Sequence, residues 1–308
     1  MDYDLTIIGG GPAGAAAAIY ASRKQLKSII IAKDFGGQSV VSDDIQNWIG
    51  TPHISGSELA KNLEAHVREY AGNVLEIVTG DEVLSVKKIN GVITVKTANG
   101  KIFSTRTLLI TTGSKRRKIT VPGAEKFEHK GLTYCASCDG PMFSDKDVVV
   151  IGGGNAGFET AAQLLAYVKS VTLLEHGETF KAEAITAKKV LASPKMSTLK
   201  NVEIIEIKGD KMLESIVYKN RATGKTIEKA VSGIFVEIGQ IPATGIVEGT
   251  VELNNYKQVV IDPNTQRTTT DGIWAAGDCT NVLYHQNNIA VGDAVRALED
   301  IYVYLKAK

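Results

Sequence analysis

A glycine-rich turn that joins an apolar strand to a small-residue helix occurs twice in this chain. This repeat restricts the possible folds more than any other feature. The first copy runs from the apolar segment Leu5–Ile8 into Gly9-Gly10-Gly11-Pro12-Ala13-Gly14. A helix over 15–22 and a strand over Ser28–Ala32 are predicted to follow, which together make a βαβ unit.

The second copy begins about halfway along the chain. Its strand is Asp147–Ile151, its turn is Gly152-Gly153-Gly154-Asn155-Ala156-Gly157, and a helical stretch to Tyr167 leads to a strand at Val171–Leu174. Two such units predict an α/β fold with two Rossmann-like, three-layer dinucleotide-binding domains, the second inserted in the first.

The glycines of a G-x-G-x-x-G turn each have a physical task. One permits the tight turn, one lets a pyrophosphate approach the backbone, and one lets helix and strand pack closely. The free N–H groups and positive dipole end of the following helix attract the phosphates. Each turn stands between a strand and a helix, so both are interpreted as dinucleotide sites rather than as plain turns.

Composition excludes several classes of function. Lys and Arg number 35 against 34 acidic residues, so no net field favours nucleic acid or a membrane surface. No apolar run approaches the length of about 18 residues that spans a bilayer. The N-terminus enters a strand-like segment almost at once, so no secretory signal is expected. Three cysteines are too few for a secreted disulfide framework. We therefore expect a cytoplasmic protein.

The segments outside the two glycine units also carry patterns. Val92–Thr97 and Lys101–Thr105 read as antiparallel strands around the Asn99-Gly100 turn, and they lead into a buried-looking run at Leu108–Thr111. A similar hairpin signal brackets Ala222–Lys225. The tail, Asn287–Leu305, has a helical pattern and should pack on the first domain.

Polar or proline-containing junctions lie near 114–118 and 240–244, and they predict the crossings between domains. The first expected dinucleotide-binding domain is 1–116 with 244–308, and the second is 117–243.

An acidic residue at the end of the second strand of a dinucleotide unit binds a ribose. Glu175 follows the strand of the second unit directly, and His176-Gly177-Glu178 after it contains no arginine to pair a 2′-phosphate. This favours NADH over NADPH, although a solvated strand end is the alternative. In the first unit Lys33 and then Asp34 follow the strand, so that contact is shifted or absent.

The segment Cys135-Ala136-Ser137-Cys138-Asp139-Gly140 lies just before the second turn. Two cysteines separated by two residues can form a redox disulfide with one acidified thiol. Half of a zinc site is one alternative, but the chain offers no second C-x-x-C and no nearby pair of histidines. An inert disulfide, the other alternative, is disfavoured in a reducing compartment.

With this pair placed between two glycine turns, the chain resembles the low-molecular-weight thioredoxin reductases from end to end. Further landmarks of the family recur in order: Gly36-Gly37-Gln38, Thr111-Thr112-Gly113, Val121-Pro122-Gly123, Gly239-Gln240-Ile241-Pro242 and Ala275-Ala276-Gly277-Asp278.

The resemblance implies a flavoenzyme that passes electrons from NADH through FAD to Cys135–Cys138, and then to a thioredoxin- or glutaredoxin-like protein disulfide. It implies that Cys138 faces the flavin and that Cys135 attacks the partner. Asp139 would be the proton shuttle, with helix capping as its alternative role. Cys279 would be a small buried residue beside the flavin. Rotation of the nicotinamide domain about its crossings and a homodimer are also implied.

The resemblance places binding residues as follows. For FAD they are Gly9, Gly11, Pro12, Ala13, Gly14, Asp34, Gly37, Gln38, Asn47, Thr112, Gly113, Gly277, Asp278, His285, Gln286 and Asn287, and for NADH they are Gly152, Gly154, Asn155, Ala156, Gly157, Glu175 and Gly239. No metal is expected.

One stretch departs from the NADPH-using members, which carry H-R-R-D-x-F-R-A where this chain has Glu175–Ala182. Leu174-Glu175, Gly277–Thr280 and Tyr284-His285-Gln286 look more like the NADH-using flavoprotein component of alkyl hydroperoxide reductase. That relative has thioredoxin-like domains fused before its flavin turn, so we expect this chain to pass electrons to a separate protein.

Three other functions stay open from the sequence. A peroxiredoxin-linked carrier could be the acceptor. A flavin NAD(P)H oxidase or ferredoxin reductase shares the architecture but lacks the cysteine pair. A nucleotide sensor without catalysis is the third.

Overall fold

The computed structural model describes residues 1–42 and 45–306. The chain divides into two compact units. Unit 1 is Met1–Lys115 with Ile241–Lys308, and unit 2 is Arg116–Gln240.

The strands are β1 (Tyr3–Ile8), β2 (Ser28–Ala32), β3 (Leu75–Thr79), β4 (Val83–Ile89), β5 (Val92–Thr97), β6 (Ile102–Ile110), β7 (Ser114–Arg116), β8 (Leu132–Thr133), β9 (Asp147–Ile151), β10 (Ser170–Leu174), β11 (Met196–Leu199), β12 (Val202–Gly209), β13 (Leu213–Asn220), β14 (Thr226–Ala230), β15 (Gly233–Val236), β16 (Gln240–Pro242) and β17 (Ile273–Ala275). The α-helices are α1 (Pro12–Arg23), α2 (Gly56–Ala71), α3 (Ala124–Phe127), α4 (Ala136–Asp139), α5 (Asn155–Leu164), α6 (Ala184–Leu191) and α7 (Asn287–Lys306), and short 3₁₀ turns cover Gly37–Val41, Gly140–Phe143 and Gly245–Val247.

The sheet of unit 1 has the strand order β3-β2-β1-β6-β5-β4, and β17 also pairs with β6. β1, β2, β3, β6 and β17 are parallel, whereas β4 and β5 form an antiparallel hairpin edge. The carboxyl ends of the parallel strands therefore meet at one edge of the sheet, where α1 begins.

β6 is one continuous strand, and it joins most of the predicted strand Lys101–Thr105 to the buried run that begins at Leu108. Thr105 and Thr107 are fully buried where the two segments join. Thr105 Oγ1 donates to Thr107 O (2.8 Å), and Thr107 Oγ1 donates to Asp4 O (2.7 Å). Their hydroxyls are thereby satisfied inside the sheet.

α1 lies between the sheet and α7. Pro12 opens it at its first position, where a missing N–H costs nothing, and a run of alanines gives it high helix propensity and little bulk. The small side chains Ala17, Ala294 and Ala297 are fully buried in the shared core. The predicted C-terminal helix thus packs on unit 1, as expected.

Unit 2 has a five-stranded parallel sheet in the order β11-β10-β9-β15-β8. A three-stranded antiparallel sheet, β12-β13-β14, lies in the chain between β11 and β15 and contains the predicted hairpin around 222–225. The predicted strands over residues 28–32, 92–97 and 147–151 agree with β2, β5 and β9, and α5 ends at Leu164 rather than Tyr167.

The two chain crossings, β7 and β16, form a two-stranded ribbon. Among the described residues, no helix has the length and apolar character needed to cross a bilayer.

The close contact of α1 with α7 predicts a stability effect. Ala297→Leu places three extra carbons at a fully buried position, which costs about 1–3 kcal/mol and lowers the Tm by about 3–10 °C. Val303→Leu, on the same helix but 59% exposed, is the control and should shift the Tm by less than about 2 °C. Thermal unfolding followed by circular dichroism measures both, and equal shifts would contradict the packing described.

Candidate active site

The two glycine turns have the same backbone geometry. Gly9 and Gly152 both have φ of 116°, in the region that side chains rarely adopt. A Cβ on Gly9 would lie 2.3 Å from Thr111 O, and a Cβ on Gly152 would lie 2.2 Å from Glu237 O. Each turn therefore touches the backbone just beyond the neighbouring parallel strand, and only glycine fits there.

The last glycine of each turn sets the helix position. A Cβ on Gly14 would lie 1.8 Å from Gly9 O, and one on Gly157 would lie 1.9 Å from Gly152 O. A Cβ on Gly154 would meet no protein atom within 4 Å, so open space lies over the start of α5. This is the cradle that a pyrophosphate requires.

The ribose position differs between the two units. In unit 2, Leu174 is the last residue of β10 that pairs with β9, and Glu175 follows it. In unit 1, Ile31 is the last residue of β2 that pairs with β1, and Ala32 follows it. Ala32 therefore occupies the place that Glu175 has in unit 2. Asp34 lies two residues after Ala32 and is exposed. Its backbone carbonyl oxygen lies close to the turn, 2.2 Å from a Cβ built on Gly10.

In unit 1 the separate segments predicted to bind FAD come together around the first turn. Gly37 packs on Gly11, with a built Cβ 3.2 Å from the Gly11 Cα. Gly277 lies against Ala13, with a built Cβ 3.5 Å from the alanine Cβ. Asn47 Nδ2 donates to Gln286 Oε1 at 3.0 Å.

Two residues that sequence reasoning did not single out join this cluster. Ser39 Oγ donates to Asn287 Oδ1 at 2.9 Å, and Asn288 Nδ2 donates to Asn47 O at 2.7 Å. Gln38 is exposed, and Gly113 has a φ of 67° at the bend after β6. Asp278 is partly buried at the turn after β17.

Some buried polar atoms of unit 1 have no hydrogen-bond partner in the described structure, and Thr112 Oγ1, His285 Nε2 and Asp293 Oδ2 are among them. Buried polar atoms nearly always have a partner in the working protein. Thr112 and His285 belong to the predicted flavin segments, so these atoms fit a polar ligand such as FAD. Burial also raises the pKa of Asp293 above its usual range.

Cys279 is fully buried behind the same segments. Burial raises the pKa of its thiol to about 11, and its Sγ lies 3.5 Å from Ala276 O and 3.6 Å from Ile110 O. It is a neutral, weakly hydrogen-bonded thiol, which agrees with the role of a small buried residue.

In unit 2 the Glu175 carboxylate holds the second turn together. One oxygen accepts from Gly153 N and the other from Gly177 N, each at 2.6 Å. The side chain is partly buried, so the residue is more than a solvated strand end. A carboxylate has about four acceptor positions, which leaves capacity for ribose hydroxyls.

An arginine from a distant part of the sequence does lie beside His176, the residue that follows Glu175. Arg221, in the turn after β13, has its Nη1 2.9 Å from His176 Nε2 and 3.4 Å from His176 O. The absence of arginine beside Glu175 in the sequence therefore did not describe the charges around it in the fold. No signal in the local sequence reveals this contact, because it depends on the packing of the β13–β14 hairpin.

The remaining predicted residues of the second site surround the start of α5. Asn155 and Ala156 are exposed in its first turn, and Asn155 Oδ1 accepts from Glu183 N at 2.8 Å. Gly239, with φ of 100°, lies after β15 and accepts a hydrogen bond from Arg117 N at 3.0 Å.

Cys135 and Cys138 are joined by a disulfide, with Cα atoms 5.4 Å apart, and both are partly buried. Cys135 caps the short helix α4, and its Sγ accepts from Cys138 N at 3.2 Å. A backbone N–H directed at this sulfur would stabilise it as a thiolate after reduction.

Thr133, at the end of β8, was missed by the sequence reasoning. Its hydroxyl donates to the Asp139 carboxylate and accepts from Cys135 N at 3.2 Å. Asp139 makes no side-chain cap to the 3₁₀ turn that follows it, and Cys135 is the cap of α4. Thr133 thus connects the Asp139 carboxylate to the backbone of Cys135. A role of Asp139 in helix capping alone does not explain this connection.

These features agree with the comparisons to known proteins. The family model described as pyridine nucleotide-disulphide oxidoreductase matches residues 3–294. The chain belongs to this family, and it has a thioredoxin reductase-like fold of two Rossmann-type domains.

Solved structures cover the whole chain. Thioredoxin reductase from Streptococcus pyogenes MGAS5005 is 32% identical over 99% of both chains, with a TM-score of 0.89. Thioredoxin reductase from Giardia duodenalis is 29% identical over the same share of both chains, with a TM-score of 0.92.

Curated relatives are longer. The NADH dehydrogenase of Bacillus subtilis (strain 168) is 37% identical over 98% of this chain, and the F component of alkyl hydroperoxide reductase from Escherichia coli (strain K12) is 38% identical over 98%. The chain spans 58% of the length of each of these two relatives.

The environments of the three cysteines predict their reactivity. Because burial keeps Cys279 neutral and inaccessible, the oxidised native protein should react with no equivalent of 5,5′-dithiobis(2-nitrobenzoate) at pH 8. After reduction and removal of the reductant, Cys135 and Cys138 should react, and Cys279 should react only after denaturation. Fast reaction of a third thiol in the native reduced protein would contradict this assignment.

Proposed function

We propose that this enzyme transfers two electrons from NADH, through bound FAD, to the Cys135–Cys138 disulfide and then to a disulfide of a thioredoxin- or glutaredoxin-like protein. The observation that carries the proposal is the partly buried disulfide, tied through Thr133 to Asp139 within the unit that also holds the second dinucleotide turn. The net reaction consumes NADH, one proton and the partner disulfide, and yields NAD⁺ and two thiols.

FAD, when bound, supplies the centre that accepts hydride and returns the electrons as a pair. The residues suited to hold it are those of the first turn, with Gly37, Thr112, Gly277 and the Asn47–Gln286 pair. The contribution of the chain is to bind and orient the cofactor and to keep its surroundings dry.

The two cysteines divide the thiol chemistry. As the resemblance implies, Cys138 faces the flavin and Cys135 attacks the partner disulfide. The hydrogen bond from Cys138 N to Cys135 Sγ supports Cys135 as the attacking thiolate, because an N–H donor favours the charged form. Asp139 would carry the proton to the flavin-side sulfur, and Thr133 would hold its carboxylate in place.

The dinucleotide turn and the disulfide belong to the same unit, and both must reach the flavin. We therefore propose that the ribbon of β7 and β16 is the hinge about which unit 2 rotates. The homodimer that the resemblance implies belongs to the same proposal.

A peroxiredoxin-linked carrier is the second candidate acceptor, because the relatives include the F component of alkyl hydroperoxide reductase. A flavin oxidase without thiol chemistry is not supported, since it would leave the disulfide and the Thr133–Asp139 contact without a role.

The order of electron transfer predicts different effects for the two cysteines. Cys138→Ser should abolish reduction of a thioredoxin-type disulfide while NADH still bleaches the flavin absorbance, because the cysteine acts after the flavin. Cys135→Ser should also abolish turnover but leave a thiolate at the flavin, visible as a new long-wavelength absorbance band. Stopped-flow spectroscopy measures both, with Cys279→Ser as the matched control that keeps turnover. The reverse pattern in the two variants would refute the assigned roles.

The surroundings of Glu175 predict the choice of electron donor. The carboxylate repels a 2′-phosphate, and the local arginine pair is missing, each worth about 1–3 kcal/mol. Arg221 offsets part of this, so we expect NADH to be preferred by about tenfold to a hundredfold in kcat/KM.

Two variants separate these contributions. Arg221→Ala should lower kcat/KM for NADPH and leave that for NADH unchanged. Replacing Glu175, His176 and Gly177 with His, Arg and Arg should move the preference toward NADPH. Steady-state kinetics with both donors measure the ratio, and equal use of the two donors by the unmodified enzyme would reject the preference. Failure with both donors would reject the proposed function itself.

A further inference from the structure

Glu237 is an acidic residue at the end of β15 in unit 2, and it takes no part in the electron transfer proposed above. It is the first residue after β15, and its N–H donates to Ile151 O at 2.8 Å, at the end of β9. Its carbonyl oxygen packs against Gly152, where a Cβ would lie only 2.2 Å away. The backbone of Glu237 is thus held by the second glycine turn itself.

The side chain is held as well. Thr160 Oγ1, on α5, donates to Glu237 Oε1 at 2.9 Å, and Glu237 is partly buried. Two charged groups act on it: Arg116, on β7, favours the ionised form, and Glu159, on α5, opposes it. Burial dominates and raises the pKa of Glu237 to about 7.

The strand order shows which part of a dinucleotide would reach this carboxyl. The chain leaves β9 toward β10 on one side, and β15 lies on the other side of β9. Ligands of such sheets bind across the carboxyl ends at this switch point. With the adenine ribose at Glu175, beyond β10, and the pyrophosphate at the start of α5, the remaining half of the ligand must extend over the end of β15.

That remaining half is the nicotinamide. We propose that Glu237 determines how the enzyme discriminates between the oxidised and reduced nicotinamide, with its charge favouring NAD⁺ and its neutral form removing that preference. The inference rests on the proposed function, because it takes the second turn to be a nicotinamide site.

The physical reason is the charge of the ring. The nicotinamide ring of NAD⁺ carries a positive charge and that of NADH does not, so an ionised carboxyl beside it attracts only NAD⁺. Glu237 is neutral below its raised pKa and ionised above it, so NAD⁺ affinity should rise with pH through about 7. By linkage, bound NAD⁺ lowers the pKa of Glu237 and releases protons; a shift of one pKa unit corresponds to a tenfold change in affinity.

The test compares three ligands on the oxidised, flavin-loaded enzyme by isothermal calorimetry from pH 5.5 to 8.5. The ligands are NAD⁺, 1,4,5,6-tetrahydro-NADH, which has an uncharged ring and cannot donate hydride, and ADP-ribose, which has no ring. We expect the ratio of the NAD⁺ affinity to the tetrahydro-NADH affinity to rise about tenfold across this pH range. The affinity for ADP-ribose should change with pH in the same way as that for tetrahydro-NADH. Titrations in buffers of different ionisation enthalpy should show proton release with NAD⁺ alone.

Variants assign the effect to one carboxyl. In Glu237→Gln the ratio of NAD⁺ affinity to tetrahydro-NADH affinity should stay at its low-pH value across the whole pH range. Glu203 is an exposed residue on β12, and Glu203→Gln should behave as the unmodified enzyme does. Thr160→Val removes a donor to the ionised form and should move the transition to higher pH, which gives a second measurement if Glu237→Gln folds poorly. A flat ratio in the unmodified enzyme, or a slope that persists in Glu237→Gln, overturns the inference alone. Absence of binding by all three ligands overturns the proposed function with it.

Discussion

The close contact between a glycine and the carbonyl just beyond the neighbouring strand governs both halves of this molecule. It is Gly9 against Thr111 O in unit 1 and Gly152 against Glu237 O in unit 2. Because a Cβ at either glycine would overlap that oxygen, the contact fixes the position of the turn relative to the start of the helix and to the end of the neighbouring strand. That strand is β6 in unit 1 and β15 in unit 2. Residues that follow it therefore lie beside the turn, although they are far from it in the sequence.

Local patterns carried much of the fold. The two turns, the strands over residues 28–32, 92–97 and 147–151, and the C-terminal helix could be predicted because periodicity and glycine spacing depend on near neighbours. The continuity of β6 could not be predicted in this way, because the hydroxyls of Thr105 and Thr107 find their backbone carbonyl partners only in the folded sheet. Polarity in a sequence does not show whether a partner exists in the fold.

The site followed the same division. The position of Glu175 beside the glycine turn could be predicted because it closes a strand, and the same rule applied to the run 233–236 would have placed Glu237 beside the turn as well. Thr133 and Arg221 could not be found this way, because each meets its partner only through packing of the disulfide turn or of a remote hairpin. Charge around a ligand is a property of the fold, so counting arginines near Glu175 in the sequence was incomplete.

Burial also gives the three cysteines of this chain different expected reactivities. A thiol becomes a nucleophile only as a thiolate, and desolvation opposes that charge. Cys279 lies in the interior of unit 1, where its pKa is raised to about 11, so it stays neutral near the proposed flavin site. Cys135 and Cys138 are partly buried, and a backbone N–H is directed at the first sulfur. The fold thereby disfavours the thiolate at Cys279 and favours it at Cys135, the thiol that we propose to attack a partner disulfide.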